Sequence, residues 1–295
     1  MSDSPLIEQA LAFDCEGSAL WGILTRSPVN VTEPTLAVLV VVGGPQYRVG
    51  SHRQFVLLSR ALARRGFPTL RFDYRGMGDS DGATRTFEGA GPDLHAAIDA
   101  LCAACPQARR IVVWGLCDAA SAALMFATTD ERVVGVVALN PWARSAASLS
   151  ATRVKHYYAA RLMQREFWSK LLFGGVDLGA SLRSFFNDLR GARSSRRGSP
   201  IQRSDDSFQT RMARGLSRFS GRVLLILSGN DLTAREFVQY TDSAVAWRGL
   251  LADPKVTRVT IAEADHTFSR RVWQDQVEDE TSAWLVALSN AAHTP

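Results

Sequence analysis

The chain has 295 residues, 46% of them hydrophobic and 21% charged, with a formal net charge of +5. That is ample for a large buried core and excludes a disordered or collagen-like chain. No apolar run approaches the roughly 20 residues of a membrane-spanning helix. The N-terminal MSDSPLIEQA has neither a basic start nor an apolar signal core, which predicts a cytoplasmic protein.

The segment Ile7 to Thr25 alternates weakly around CEGS and reads as an antiparallel hairpin. Leu36–Val42 is a strand rich in β-branched residues, followed by the loop GGPQYRVG and an amphipathic helix ending at Gly66. Thr69–Phe72 is a short strand leading into the loop DYRGMGDSDG. A helix runs from Pro92 to about Ala104, then Arg110–Trp114 is a strand, Asp118–Thr128 a helix and Val133–Leu139 another strand. Alternation stops at Asn140-Pro141 and resumes with a strand at Val223–Ser228. A helix from about Ala234 to Arg248, a strand at Val256–Ile261 and a last helix from Val272 to about Ser289 follow. Strands alternating with helices predict a parallel sheet covered on both faces. The expected organisation is therefore a core built from 1–140 and 220–295, with a helical insertion at 141–219.

The insertion carries the basic charge. Ten arginines and three aspartates lie between Arg183 and Arg222, so that window holds +7 and the rest of the chain −2. It contains no base-reading or stacking module, and no nucleic-acid partner is expected. Thr152 to Gly174 is aromatic and amphipathic and reads as a cap helix. Cys102 and Cys105 form a CxxC near a helix end, the wrong context for a redox motif. No second cysteine or histidine pair accompanies them to bind zinc. Neither cofactor nor metal is expected. RGMGDSDG lacks the Lys-Ser/Thr ending of a phosphate loop and reads as structural.

Gly115-Leu116-Cys117-Asp118-Ala119 joins a strand to a helix. Such a turn needs small residues two before and two after its apex, and it exposes the apical side chain beside the helix N-terminus. Cys117 in that place is a candidate nucleophile; the alternative is a small buried residue at a turn. A thiol nucleophile needs a base and an orienting acid. His266, just after the strand 256–261, and Asp231, just after the strand 223–228, have the right types and lie at strand C-terminal ends. His95, His293, Asp242, Asp253 and Asp265 are weaker candidates by position. The N–H of Asp118 and one from the loop after the first parallel strand are candidate oxyanion donors. Pro45 has none, so Gly44 or Gln46 must supply the second. His52, Tyr47, Trp142 and His156 are candidate substrate-lining residues.

Five motifs in fixed order, GGPQYRVGSHRQF, LRFDYRGMGDSDG, GLCDAASAAL, LSGNDLTAREF and ADHTFS, span Gly43 to Phe268. Together they resemble the α/β-hydrolase superfamily, and within it the exosortase A system-associated hydrolase 1 family. The resemblance implies an α/β-hydrolase fold: a mostly parallel eight-stranded sheet with helices on both faces and a cap inserted after the sixth strand. It also implies a catalytic triad at Cys117, Asp231 and His266. Cysteine replaces the usual serine, and Ala119 the usual glycine. The family is encoded beside an acyl carrier protein and an acyl-CoA ligase, which implies carrier- or CoA-bound acyl thioesters as substrates. A basic insertion would steer an acidic carrier. The competing expectations are a hydrolase of small esters or lactones, similar to dienelactone hydrolases, and a catalytically silent scaffold that binds a ligand or partner.

Overall fold

A computed structural model describes residues 5–28, 35–44, 46–144 and 207–291. The chain divides into two units, Met1–Ala143 with Ser207–Pro295, and Arg144–Asp206. His156, the aromatic segment 152–174 and the arginines from 183 to 203 lie outside the described residues.

The first unit is built on one eight-stranded sheet. Its strands are β1 (Ile7–Cys15), β2 (Ser18–Arg26), β3 (Leu36–Val41), β4 (Thr69–Phe72), β5 (Arg110–Leu116), β6 (Val133–Leu139), β7 (Arg222–Ser228) and β8 (Val256–Ile261). They lie in the order β1-β2-β4-β3-β5-β6-β7-β8. β2 pairs antiparallel with β1 and β4, and every pairing from β4 to β8 is parallel. The β1–β2 hairpin turns at Glu16 and Gly17, both at positive φ, which matches the twist of the two strands.

The central strands are apolar throughout because both faces are covered. The helices are α1 (Gln54–Arg64), α2 (Gly91–Ala104), α3 (Asp118–Phe126), α4 (Phe208–Arg218), α5 (Leu232–Ser243) and α6 (Arg271–Ala291). Alternate residues of β3 serve two cores. Ala37, Leu39 and Val41 pack in the layer that contains α2 and α3, whereas Leu36, Val38 and Val40 pack with Phe55, Leu62 and Leu285 of α1 and α6. No helix among the described residues is long and apolar enough to cross a membrane.

Two elements differ from the sequence expectation. α4, placed by sequence inside the insertion, belongs to the first unit and buries Met212, Ala213 and Leu216 in the α3-side core. α5 stops at Ser243 rather than continuing to Arg248. The hydroxyls of Thr241 and Ser243 bond back to the carbonyls of Val238 and Tyr240, and Ala244 is extended. Short 3-10 turns at Val245–Trp247 and Leu250–Ala252 follow. The first inserts Trp247 against Phe237, with ring centroids 5.4 Å apart.

The loop after β4 is tied down by its charges. Asp73, fully buried, accepts from the N–H of Arg48 at 2.7 Å and pairs with its guanidinium. Arg75 is buried between Asp93 of α2, 2.9 Å from Nη2, and Glu16 of the hairpin turn. RGMGDSDG thus bolts the antiparallel edge to the parallel sheet, in keeping with a structural role. Asp93→Ala would leave Arg75 buried with only the exposed Glu16. We expect it to lower unfolding free energy by about 3–5 kcal/mol, read as a lower urea midpoint with an unchanged slope.

Candidate functional site

The site forms at the C-terminal edge of the parallel strands. β5 ends at Leu116 and α3 starts at Asp118, so one residue makes the corner. That residue is Cys117, at φ 63 and ψ −124, a conformation non-glycine residues rarely adopt. Hydrogen bonds hold it there. Its N–H donates to Leu139 O of β6 at 2.9 Å, and its carbonyl accepts from Ala120 and Trp142 N–H, each at 3.1 Å. The corner is tight: a Cβ on Gly115 would stand 2.6 Å from the carbonyl atoms of Ala119. This is the packing reason for the glycine two residues before the apex.

Asp231 is the N-cap of α5, and its carboxylate accepts from the N–H of Thr233 at 3.2 Å and Ala234 at 3.0 Å. The same carboxylate lies 2.9 Å from Nδ1 of His266. Cys117 also acts on the His266 imidazole from close by. The hydrogen bond to Asp231, then the nearby Cys117, push the imidazole up to about 10 against the opposing effect of burial. Burial works to raise the Asp231 carboxyl, but His266 and the two α5 N–H groups outweigh it and hold it below its ordinary value. The structure therefore brings together the three residues singled out by sequence.

Three of the weaker candidates are engaged elsewhere, and His293 lies outside the described residues. Asp265 turns away from its neighbour His266 and accepts from Ser269 N–H at 2.9 Å. Asp253 accepts from Lys255 N–H at 2.9 Å. His95 pairs with Asp130, just ahead of β6 at the opposite edge of the sheet, and that carboxylate is shared with Arg132. Among the described residues no group of three or more His, Cys, Asp or Glu could hold a metal ion.

The expected oxyanion donors are arranged differently from the sequence reading. Gly44 N–H points at the Asp118 carboxylate, 2.8 Å from Oδ1 and 3.0 Å from Oδ2. Gln46 N–H donates to Gly44 O at 2.8 Å. Neither faces an open acceptor position. The N–H groups of Ala119 and of Asp118 itself also act on that carboxylate, so a nest of backbone donors at the α3 N-terminus holds a side chain of the same helix. Gly43 permits this approach, since a Cβ there would lie 2.3 Å from Asp118 Oδ1.

The proposed lining residues fall around this edge. Tyr47, exposed, donates from its hydroxyl to Asp79 at 3.0 Å and lies under the Arg48 guanidinium, 4.4 Å from its ring centroid. His52 is exposed, at φ 53, and its charge acts on Asp265. Trp142 is anchored to the elbow through its backbone: its N–H meets Cys117 O, and its carbonyl accepts from Ser121 Oγ at 2.7 Å.

Two residues escaped the sequence reading. Asn140 and Ser228, at the ends of β6 and β7, are buried and bonded to each other and to the His266 loop. The only trace in the sequence is the Asn-Pro at which the strand–helix alternation stops.

Burial raises the Asp118 carboxyl, and its backbone donors and the charge of His266 only partly offset this. An acid whose folded pKa lies above its unfolded one costs stability once ionised. The contribution of Asp118 alone should therefore become less favourable as pH climbs through the carboxylate range. Asp118→Asn keeps an acceptor for Gly44 without the titration. Urea melts at pH 4 and pH 7 should show the variant gaining on the wild type as pH rises.

A model of the alpha/beta hydrolase family matches residues 38–284. No curated protein matches the chain. Among solved structures, it is similar to the esterase Pf2001 of Pyrococcus furiosus, with 18% identity, a TM-score of 0.63, and coverage of 96% of this chain and 92% of that one. It is also similar to Est1E of Butyrivibrio proteoclasticus with ferulic acid bound: 16% identity, TM-score 0.60, coverage 95% and 99%. An alpha-beta serine hydrolase homologue from Coxiella burnetii matches at 14% identity and TM-score 0.55, with coverage of 94% and 97%. At these identities the likeness is one of fold. The eight-stranded sheet, the strand-to-helix corner and the span of the family match lead to one conclusion: the chain belongs to the alpha/beta hydrolase family.

Proposed function

We propose that the protein is a cysteine-dependent acyl-transfer enzyme acting on acyl thioesters, with Cys117 as nucleophile, His266 as acid–base and Asp231 as the group that orients His266. The observation that carries this reading is Cys117 at the strained corner, close to a histidine that is hydrogen-bonded to a capping aspartate. A histidine raised to about 10 holds a proton at neutral pH, ready for a leaving sulfur.

In the first half-reaction the sulfur of Cys117 bonds to the acyl carbon of the thioester, and the carbonyl becomes an oxyanion. The carbonyl re-forms as the bond to the donor thiol breaks, and His266 gives that leaving sulfur its proton. In the second, water, an amine or another thiol passes a proton to His266 and attacks the acyl-cysteine, releasing Cys117. The Asp118 N–H is the first oxyanion donor in this reading. Gly44 N–H joins it once the Asp118 carboxylate turns aside.

Thiol chemistry selects the donor. A thiolate that attacks an oxygen ester must form the higher-energy thioester, whereas attack on a thioester exchanges like for like. The resemblance of the motifs to exosortase A system-associated hydrolases supports the same substrate class, an acyl group on a carrier protein or CoA in the cytoplasm. The charge of arginines 193, 196, 197 and 203 would then steer an acidic carrier. A second reading, hydrolysis of small oxygen esters, is favoured by the esterases among the fold neighbours.

Intact-mass spectrometry after incubation with acyl-CoA and acyl-carrier thioesters separates the two. We expect an acyl adduct on the wild type that is absent from Cys117→Ala, with acylation about 10²–10⁴-fold slower in His266→Ala. Turnover of oxygen esters with neither adduct nor thioester turnover would establish the second reading instead.

A further inference from the structure

We infer that Asn140 is a positioning residue that sets His266 against Cys117, and this inference rests on the catalytic reading above. Asn140 is fully buried, and at φ 42 it occupies the left-handed region that asparagine tolerates better than most residues. Its N–H donates to Ile226 O at 3.1 Å, closing the pairing of β6 with β7. Beyond that point its carboxamide takes over. Nδ2 donates to Ser228 Oγ at 2.8 Å and to the main-chain carbonyl of His266 at 3.2 Å. Oδ1 accepts from Ser228 N–H at 2.8 Å. Ser228 Oγ passes the connection on to the carbonyl of Asp265 at 2.8 Å. Both side-chain N–H donors of the asparagine are used. Two successive carbonyls of the loop after β8 are held by the ends of β6 and β7.

The neighbours of Asn140 hold the nucleophile. Leu139 O accepts from Cys117 N–H, and Trp142 N–H donates to Cys117 O. Residues 139–142 therefore grip the backbone of Cys117 on either side of the residue that grips His266. This short segment works as a ruler between sulfur and imidazole. Aspartate, of the same shape, lacks both donors, and serine lacks the reach to replace the carboxamide. Misplacement of a reacting pair by about 1 Å costs up to about 10²-fold in rate, so a residue that never touches substrate can still govern acylation.

The test is the rate of Cys117 alkylation by iodoacetamide from pH 5 to pH 9, followed by peptide mass spectrometry. It needs no knowledge of the acyl substrate. Asn140→Asp should slow alkylation at pH 7 by about tenfold to a hundredfold and move the pH profile toward that of His266→Ala. Ser228→Ala, which keeps the Asn140 bond to His266 O, should fall between wild type and Asn140→Asp, and it decides the matter if Asn140→Asp does not fold. Where thioester turnover is measurable, kcat should fall with KM unchanged. A folded variant, with wild-type near-UV circular dichroism, that alkylates with the wild-type rate and profile overturns the inference. If the wild type alkylates in a His266-dependent way yet takes no acyl group, the substrate reading fails while the positioning role stands.

Discussion

Between β5 and α3 the chain has one residue in which to reverse direction, and everything at the site follows from that restriction. A non-glycine residue at positive φ costs about 1–3 kcal/mol and persists only where its surroundings over-determine it. Here they do. β5 is buried and paired with β3 and β6, so the strand cannot slide. The N–H of Cys117 is taken by the last residue of β6, and its C=O by Trp142 of the following segment and by the first turn of α3. Gly115 is a glycine because the corner leaves no room for a Cβ against the backbone of Ala119 and Ala120. The strain thus has an evident structural support, and its product is a thiol presented next to a histidine rather than buried in the sheet.

The carboxylates of this edge share a common construction. Asp231 caps α5 and orients His266 with the same group. Asp73 accepts from the backbone of Arg48 and of Asp79 while pairing with the Arg48 guanidinium. Asp93 accepts from both the backbone and the side chain of Arg75. In each case the charge is met by main-chain N–H groups as well as side chains, so the loops are fixed to strand ends and helix starts. A frame of this kind holds reacting groups in register better than side-chain pairs alone, because main-chain donors carry little rotamer entropy.

Much of this was legible in the sequence because it is local. The strand-to-helix corner, the aspartate after β7 and the histidine after β8 each stand one to five residues past a readable strand, and parallel strands bring such positions to one edge. What was not legible depends on partners far apart in the chain. Asn140 meets Ser228 from 88 residues away and His266 from 126. Asp118 folds back to Gly44 across 74 residues. Neither has a periodicity or motif of its own. The contact that occupies the Gly44 N–H is illegible for the same reason: Gly44 and its neighbours specify a turn, while the partner of its N–H is a carboxylate contributed by the elbow. The end of α5 was misread because helical spacing continues past Ser243 although the hydroxyls of Thr241 and Ser243 compete for the last carbonyls.

Asp118 is the feature that a plain hydrolase site does not need. A nest of N–H groups at a helix N-terminus favours negative charge, and at rest that charge is the protein's own. The carboxylate is half-buried, raised by burial, and within the field of His266. In an acyl-transfer reaction the tetrahedral oxyanion competes for the same donors, and two anions cannot share them without a large penalty in a site shielded from water. Acylation by this route therefore requires Asp118 either to swing off Gly44 or to accept a proton. Burial has already shifted the group toward the protonated form, and a neutral carboxyl beside an oxyanion donates a hydrogen bond instead of repelling it. Under the proposed mechanism, Asp118 thus makes access to the nest of N–H groups conditional on the charge and position of a single side chain.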